Sequence, residues 1–197
     1  MVRRLGWPVE IGGGTAAGAV AAAERLVRLG VPALLSFGLA GGLDPALRAG
    51  QVLIPAWVLD GAERWAVDPA LAARFGSADG GLYGSGTVLE TAAAKRRLHL
   101  ETGAVAVDLE SAAVARAAAA AGIPFAVLRA VCDPAGRDLP AAARAALDGA
   151  GGIVALRVAA SVLRRPGQIP ALLGLARDAA LARQALRRAL DTHTAAA

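Results

Sequence analysis

Apolar runs and glycine-rich breaks alternate along the chain at lengths that suit strands and helices by turns. Residues 7–11 read as a strand and Gly12-Gly13-Gly14 as a turn. Thr15 is placed to cap a helix that runs to about Leu29 and closes at Gly30. Pro32 opens a strand over 33–37 that ends in the glycine-rich turn Gly38-Leu39-Ala40-Gly41-Gly42. Residues 52–54 and 56–59 read as one further strand interrupted at Pro55, which suits a sheet edge or a bulge. A short helix and a loop follow over 68–80, then a glycine-broken strand over 82–87 and a charged surface helix over 91–102. Residues 104–107 and 125–131 read as buried strands, separated by an alanine-rich helix over 111–121 that Gly122 ends. From Pro140 the pattern is helical to about Leu163, breaks at 164–167, and resumes from about Ile169 to Leu190. In that last helix Leu172, Leu175, Ala179, Ala182, Leu186 and Leu190 recur at steps of three and four. Residues 192–197 read as a frayed tail. The alternation predicts an α/β fold, a central parallel or mixed sheet between two helical layers. It forms a single domain over 1–197, with an arginine-rich helical segment from about 163.

Composition narrows the chemistry. The chain is 56% hydrophobic but only 4% aromatic, so its core is built from Ala, Leu and Val. The net charge of +5 is carried almost wholly by arginine, Lys95 being the only lysine. The arginines are scattered from Arg3 to Arg188, and no basic run is interleaved with aromatics, which argues against nucleic acid as a partner. An attraction to anionic substrates or lipid headgroups remains open. With Cys132 alone no internal disulfide can form, which suits a reducing cytoplasm. His99 and His193 stand far apart without partners at ligand spacing, so no metal is expected. No apolar stretch follows the basic start, and no run of ~20 apolar residues lacks charge, so neither a signal peptide nor a membrane span is read.

The chemistry concentrates at strand ends. Asp108-Leu109-Glu110 follows one buried strand and opens a helix, and Asp133 sits just past the end of the next strand. Ligands of open α/β sheets bind at the carboxyl ends of strands. Two acids delivered there can divide the breaking of a glycosidic bond, one holding sugar hydroxyls and the other protonating the leaving group. Glu110 lies among apolar neighbours and needs a donor or a ligand to satisfy it. An ionised glutamate accepts from two adjacent hydroxyls at once, the pair that ribose presents. Its plainer reading is a helix-start carboxylate. Asp133 precedes Pro134, and partial burial beside Val131 and Cys132 could raise its pKa towards that of a general acid; its plainer reading is an Asp-Pro turn. Asp138 reads as a helix cap and Cys132 as a packing residue. Gly12 to Gly18 spaces its glycines like a dinucleotide-binding turn. That fingerprint wants an acid after the next strand, where this chain has Ser36-Phe37-Gly38-Leu39.

On these residues the chain resembles the purine nucleoside phosphorylase and nucleosidase superfamily over nearly its whole length. Residues 107–113, Val-Asp-Leu-Glu-Ser-Ala-Ala, resemble its ribose-binding segment. Residues 124–133 resemble the strand that presents its purine-protonating aspartate, and 36–43 its glycine-rich nucleoside loop. Within that superfamily the chain is most similar to the hopanoid-associated phosphorylases, on 163–173 and the arginine-rich helix that follows. The resemblance implies a three-layer α/β/α phosphorylase-like fold and release of adenine from adenosylhopane, a nucleoside joined through its 5′ carbon to a membrane triterpenoid. It implies that Glu110 binds the 2′ and 3′ hydroxyls and Asp133 protonates purine N7. Leu109 and Leu89 would pack on the base, Leu39-Ala40-Gly41 would lie along the sugar, and Asp108 and Gly13 would complete the site. No cofactor is implied; inorganic phosphate or water attacks the anomeric carbon. The expected partners are a lipid-linked nucleoside, a second copy in a homodimer, and the inner membrane face as a peripheral contact. The superfamily begins with a further strand and a turn bearing the groups that activate water or hold phosphate. This chain starts after that point, so its sheet is expected to lack the first strand, and Glu10 is no substitute. The alternatives are a methylthioadenosine or adenosylhomocysteine nucleosidase and an inactive nucleoside-binding protein.

Overall fold

The computed structural model describes residues 6–141, 143, 164 and 166–195. Thr15 caps the first helix, α1 (Ala16–Arg28), its side chain accepting from the Gly18 N–H, and Gly30 turns the chain at φ +73°. Strand β1 (Leu34–Gly42) follows, then β2 (Val52–Leu53), β3 (Trp57–Asp60) and β4 (Glu63–Ala66). Helix α2 (Pro69–Ala73), capped by Asp68, leads to β5 (Gly81–Gly84), α3 (Ala92–Thr102) and β6 (Ala106–Asp108). Helix α4 (Ser111–Ala121), ended by Gly122 in the left-handed region, precedes β7 (Phe125–Asp133). A short 3-10 turn (Pro166–Gln168) opens α5 (Ile169–Ala195).

All seven strands join one mixed sheet in the order β2-β7-β1-β6-β5-β3-β4. Its centre is the parallel pair β1 and β7, in register from Leu34↔Phe125 to Ala40↔Val131. The register then slips so that Gly41 faces Asp133, a bulge that accommodates Cys132. β6 pairs antiparallel with the end of β1, at Gly41↔Val107 and Gly42↔Ala106. The sheet must curl. β2 and β3 stand five strand spacings apart, ~24 Å if flat, yet only three residues separate Leu53 from Trp57, and the chain between them reaches at most ~14 Å.

Side chains alternate between two cores. Ala40, Val127 and Val131 face α1 and α4, while Leu35, Phe37, Leu39, Leu128 and Ala130 meet Ala182, Leu186 and Leu190 of α5. In α5, Ala182, Leu186 and Leu190 of the apolar stripe are therefore core, and each buried leucine contributes roughly 1.5–3 kcal/mol.

Several elements differ from the sequence expectation. Residues 7–11 lie outside the sheet instead of forming a strand. The glycine run 38–42 is not a turn but the second half of β1, with no positive φ among its glycines. The interrupted strand over 52–59 is two strands at opposite sides of the sheet, because a pattern of apolar residues does not say which neighbour supplies the hydrogen bonds. β4 was unexpected, and it pairs with β3 across Asp60↔Glu63, where Gly61 has φ +57°. The final helix extends through 192–195, where a frayed tail was expected. The helix expected over 140–163 lies outside the described residues, apart from 140, 141 and 143.

Candidate active site

The Asp108-Leu109-Glu110 corner is organised by a buried arginine. Arg129, in the middle of β7, is only 2% exposed. Its guanidinium meets Asp108 Oδ2 at 2.6 Å, Ser36 Oγ at 2.7 Å and Ser111 Oγ at 3.1 Å. Asp108 also accepts from the Ser111 hydroxyl at 2.5 Å and from the backbone N–H groups of Ser111 and Glu110 at 3.1 and 3.3 Å. Asp108 thus holds the start of α4, the task a sequence reading would give to the residue before the helix. Glu110 makes no cap bond there. Its Oε1 accepts from Gly14 N at 2.9 Å and its Oε2 from Arg129 Nη1 at 3.3 Å, and its side chain remains partly exposed. Each oxygen therefore retains acceptor capacity for a hydroxyl.

Asp133 is held from the other side. Lys95, on α3, is 1% exposed and places Nζ 2.5 Å from Asp133 Oδ2. The same ammonium donates to the carbonyls of Pro134 and Arg137, at 3.2 and 3.0 Å. Asp133 Oδ1 is buried and has no hydrogen-bond partner, alone in this among the described side-chain atoms. Burial raises the Asp133 pKa above the ordinary carboxylate value; Lys95 and then Arg137 pull it down, and Asp178 adds to the rise. Burial, then the neighbouring Asp133 charge, pushes the Cys132 thiol up to about 11.

Glycines in β1 stand beside both acids. A Cβ on Gly38 would lie 2.3 Å from Arg129 Nη1 and 3.9 Å from Glu110 Oε2. One on Gly41 would lie 3.9 Å from Asp133 Oδ2. The two glycines are three residues apart, ~10 Å along a strand. Beyond Glu110, towards the start of β1, opens an apolar cleft of about 570 Å³ lined by Trp7, Val9, Leu26, Leu34 and Phe37, among others. Gly12 must stay small there, since a Cβ would come within 2.7 Å of Glu110 Oε1.

The structure gathers Glu110, Asp108 and the Gly12–Gly14 turn around Arg129, and exposed Gly13 lines the cleft beside Glu110. Gly41 and Asp133 lie at the far end of β1. Leu39 packs towards α5 and Ala40 towards α4, and the Leu39 carbonyl accepts from Arg129 at 3.4 Å. Leu89 packs with Leu43, Ala104 and Val107, and Leu109 is half-buried beside Glu110. Asp138 accepts from Ala92 N, at the start of α3, at 2.7 Å. Two site residues escaped the sequence reading. A lone arginine inside the apolar run 125–131 was a usable signal for Arg129, because buried charge needs a partner. Lys95 sat in a helix read as charged surface and gave no such signal. Among the described residues no group of His, Cys, Asp and Glu is placed to hold a metal ion.

The curled mixed sheet agrees with a family model, the phosphorylase superfamily, which matches residues 8–165. The chain belongs to the phosphorylase superfamily. No curated protein sequence matches it significantly. Among solved structures it is similar to the S-adenosylhomocysteine nucleosidase of Streptococcus pyogenes in complex with 5-methylthiotubericidin. The TM-score is 0.57 and the identity 21%, over 62% of this chain and 64% of that one. A mutant of Helicobacter pylori MTAN with 5′-methylthioadenosine in the active site gives 0.61 and 16%, over 90% and 77%. The futalosine hydrolase of H. pylori strain 26695 gives 0.55 and 20%, over 61% and 65%. The phosphorylase-superfamily chain thus spans just under two thirds of the length of the first of these, and at such identities the likeness shows the fold.

Proposed function

We propose that this protein cleaves the N-glycosidic bond of a purine nucleoside, with adenine of adenosylhopane as the leaving base and phosphate or water as the nucleophile. The observation that carries the reading is the orphaned Oδ1 of buried Asp133, with the half-satisfied Glu110 beside the same strand, β1. An unpartnered buried oxygen costs stability unless a ligand meets it. A nucleoside laid along the glycines of β1 puts its base at Asp133 and its ribose diol at Glu110. The sugar becomes cationic as the bond breaks, and the ionised Glu110 stabilises it while Asp133 neutralises the base at N7. The adenosylhopane reading is supported by the apolar cleft, which opens from Glu110 away from Asp133, where a 5′ substituent would run.

A hopane skeleton must be taken from a lipid surface. Arg177, Arg183, Arg187 and Arg188 of α5 are exposed, as are Leu173 and Leu181, so basic groups are available to anionic headgroups. Among the described residues no helix is long and apolar enough to cross a membrane.

The test is adenine release from adenosylhopane in anionic vesicles and from methylthioadenosine, each with and without phosphate, at low and high salt. Release from adenosylhopane, faster at low salt, is expected. Release from methylthioadenosine alone would replace the lipid substrate with a small one. Binding of both without release would leave a nucleoside-binding protein.

A further inference from the structure

Lys95 is the most deeply buried cation of the described chain, and all three of its ammonium hydrogens have acceptors. Bringing an ammonium out of water costs several kcal/mol, so a lysine so placed stands where its charge is answered. Two of its acceptors are carbonyls of the loop that follows Asp133, and the third is Asp133 itself. That loop is tied down on both sides. Asp138 accepts from Ala92 N at the start of α3, Leu139 N donates to the Glu90 carbonyl, and Arg137 pairs with Asp178 of α5 at 2.6 Å. The Asp133 carboxyl is thereby held by one oxygen, and the other is left bare.

We infer that Lys95 is a positioning residue for Asp133: it pins Oδ2, turns Oδ1 to the ligand, and stabilises the carboxylate that remains once the proton has left. This rests on the proposed reading of Asp133 as the general acid. In that step the Oδ1–H bond breaks and an N7–H bond forms. The C1′–N9 bond breaks, and its electron pair passes into the purine, which leaves neutral. Water or phosphate supplies the electron pair of the new C1′–O bond, water then losing a proton to solvent. Asp133 regains its proton from solvent before the next turnover, and Lys95 stays charged throughout.

The sign of the effect follows from the charges around the carboxyl. Lys95 from α3 and Arg137 from the loop favour its ionised form, Asp178 from α5 opposes it, and Cys132 beside it is a neutral thiol. Arg137 and Asp178 face each other at 2.6 Å and largely cancel, so Lys95 is the uncancelled charge. Burial alone would make Asp133 a weaker acid; the lysine restores part of its acidity, and the balance remains above the ordinary carboxylate value. A purely structural Lys95, stapling α3 to the loop, would affect stability but leave the titration of Asp133 where it is.

The experiment compares wild type, Lys95→Gln, Lys95→Met, Lys95→Arg and Asp133→Asn. The Asp133 carboxyl is titrated by 13C NMR, and kcat and KM for adenine release are followed against pH. Lys95→Gln keeps two donors without the charge and is the milder variant if Lys95→Met does not fold. Lys95→Gln is expected to raise the Asp133 titration, and the pH at which kcat declines, by about one unit or more. It should lower kcat on the order of tenfold with KM little changed, and Lys95→Arg should return both values towards wild type. A folded Lys95→Gln with Asp133 titrating as in wild type overturns the inference, and the NMR readout gives that answer whatever the activity. If Asp133→Asn turns over like wild type, the reading of the site itself falls. If Asp133→Asn is inactive while the Lys95 variants keep the wild-type pH profile, only the role of Lys95 falls.

Discussion

Two buried ion pairs stand at strand ends on either side of β1, and they differ in what they leave undone. Asp108 and Arg129 form a closed set: both Asp108 oxygens accept, from a guanidinium, a hydroxyl and two backbone N–H groups. Lys95 and Asp133 form an open one, with the cation saturated and one carboxylate oxygen bare. Burial and charge are alike in the two, so neither marks a site. The missing partner does. A satisfied buried pair gains nothing from a ligand, whereas an orphaned oxygen recovers its lost hydrogen bond when one arrives. Glu110 stands between these extremes, tethered by one donor on each oxygen and still open to the cleft.

The comparison breaks most visibly at Arg129. Arg129→Met should leave Asp108 buried without a counter-charge and cost about 3–5 kcal/mol of stability, read by urea denaturation. A loss below about 1 kcal/mol would mean that the closed pair is not the scaffold proposed. Next comes Glu110. Glu110→Gln keeps the shape but removes the charge, so its bond to a ribose hydroxyl should weaken by about 1.5–3 kcal/mol, read as lost kcat/KM on ribonucleosides. A 2′-deoxy substrate should lose less, and equal losses on both would make Glu110 part of the Arg129 scaffold. The smallest effect concerns Cys132, next to the open pair. Its thiol is raised from 9.0 to about 11, so at pH 8 the thiolate should be about a hundredfold scarcer than in a free cysteine. Iodoacetamide should therefore label it slowly at pH 8 and faster towards pH 11. Rapid labelling at pH 8 would show that the Asp133 end of β7 is wetter than this packing implies.

Much of the architecture could be read from local signals. Thr15, Asp68, Gly30 and Gly122 mark helix ends because capping and left-handed closure depend on residues within a turn of one another. Glu110 and Asp133 could be placed at strand ends for the same reason, as each directly follows or closes an apolar run. The expected donor for Glu110 exists, but it is Arg129 from β7, on the far side of β1, and Gly14 from the first turn. The glycines of β1 misled because the same residue serves a turn and a crowded strand. Only the Arg129 guanidinium, where a Gly38 Cβ would stand, tells which applies.

The sequence by itself determined the α/β alternation, the capped helix ends, and the delivery of three carboxylates to strand ends, since these follow from neighbours in the chain. Tertiary structure alone decided what each carboxylate does. Asp108 is quenched by an arginine 21 positions on, and Asp133 is half-quenched by a lysine 38 positions back, on a helix that looked like surface. Whether a buried acid is scaffold or site depends on the count of donors within reach. That count is set by the packing of strand on strand and helix on sheet, which chain order does not reveal.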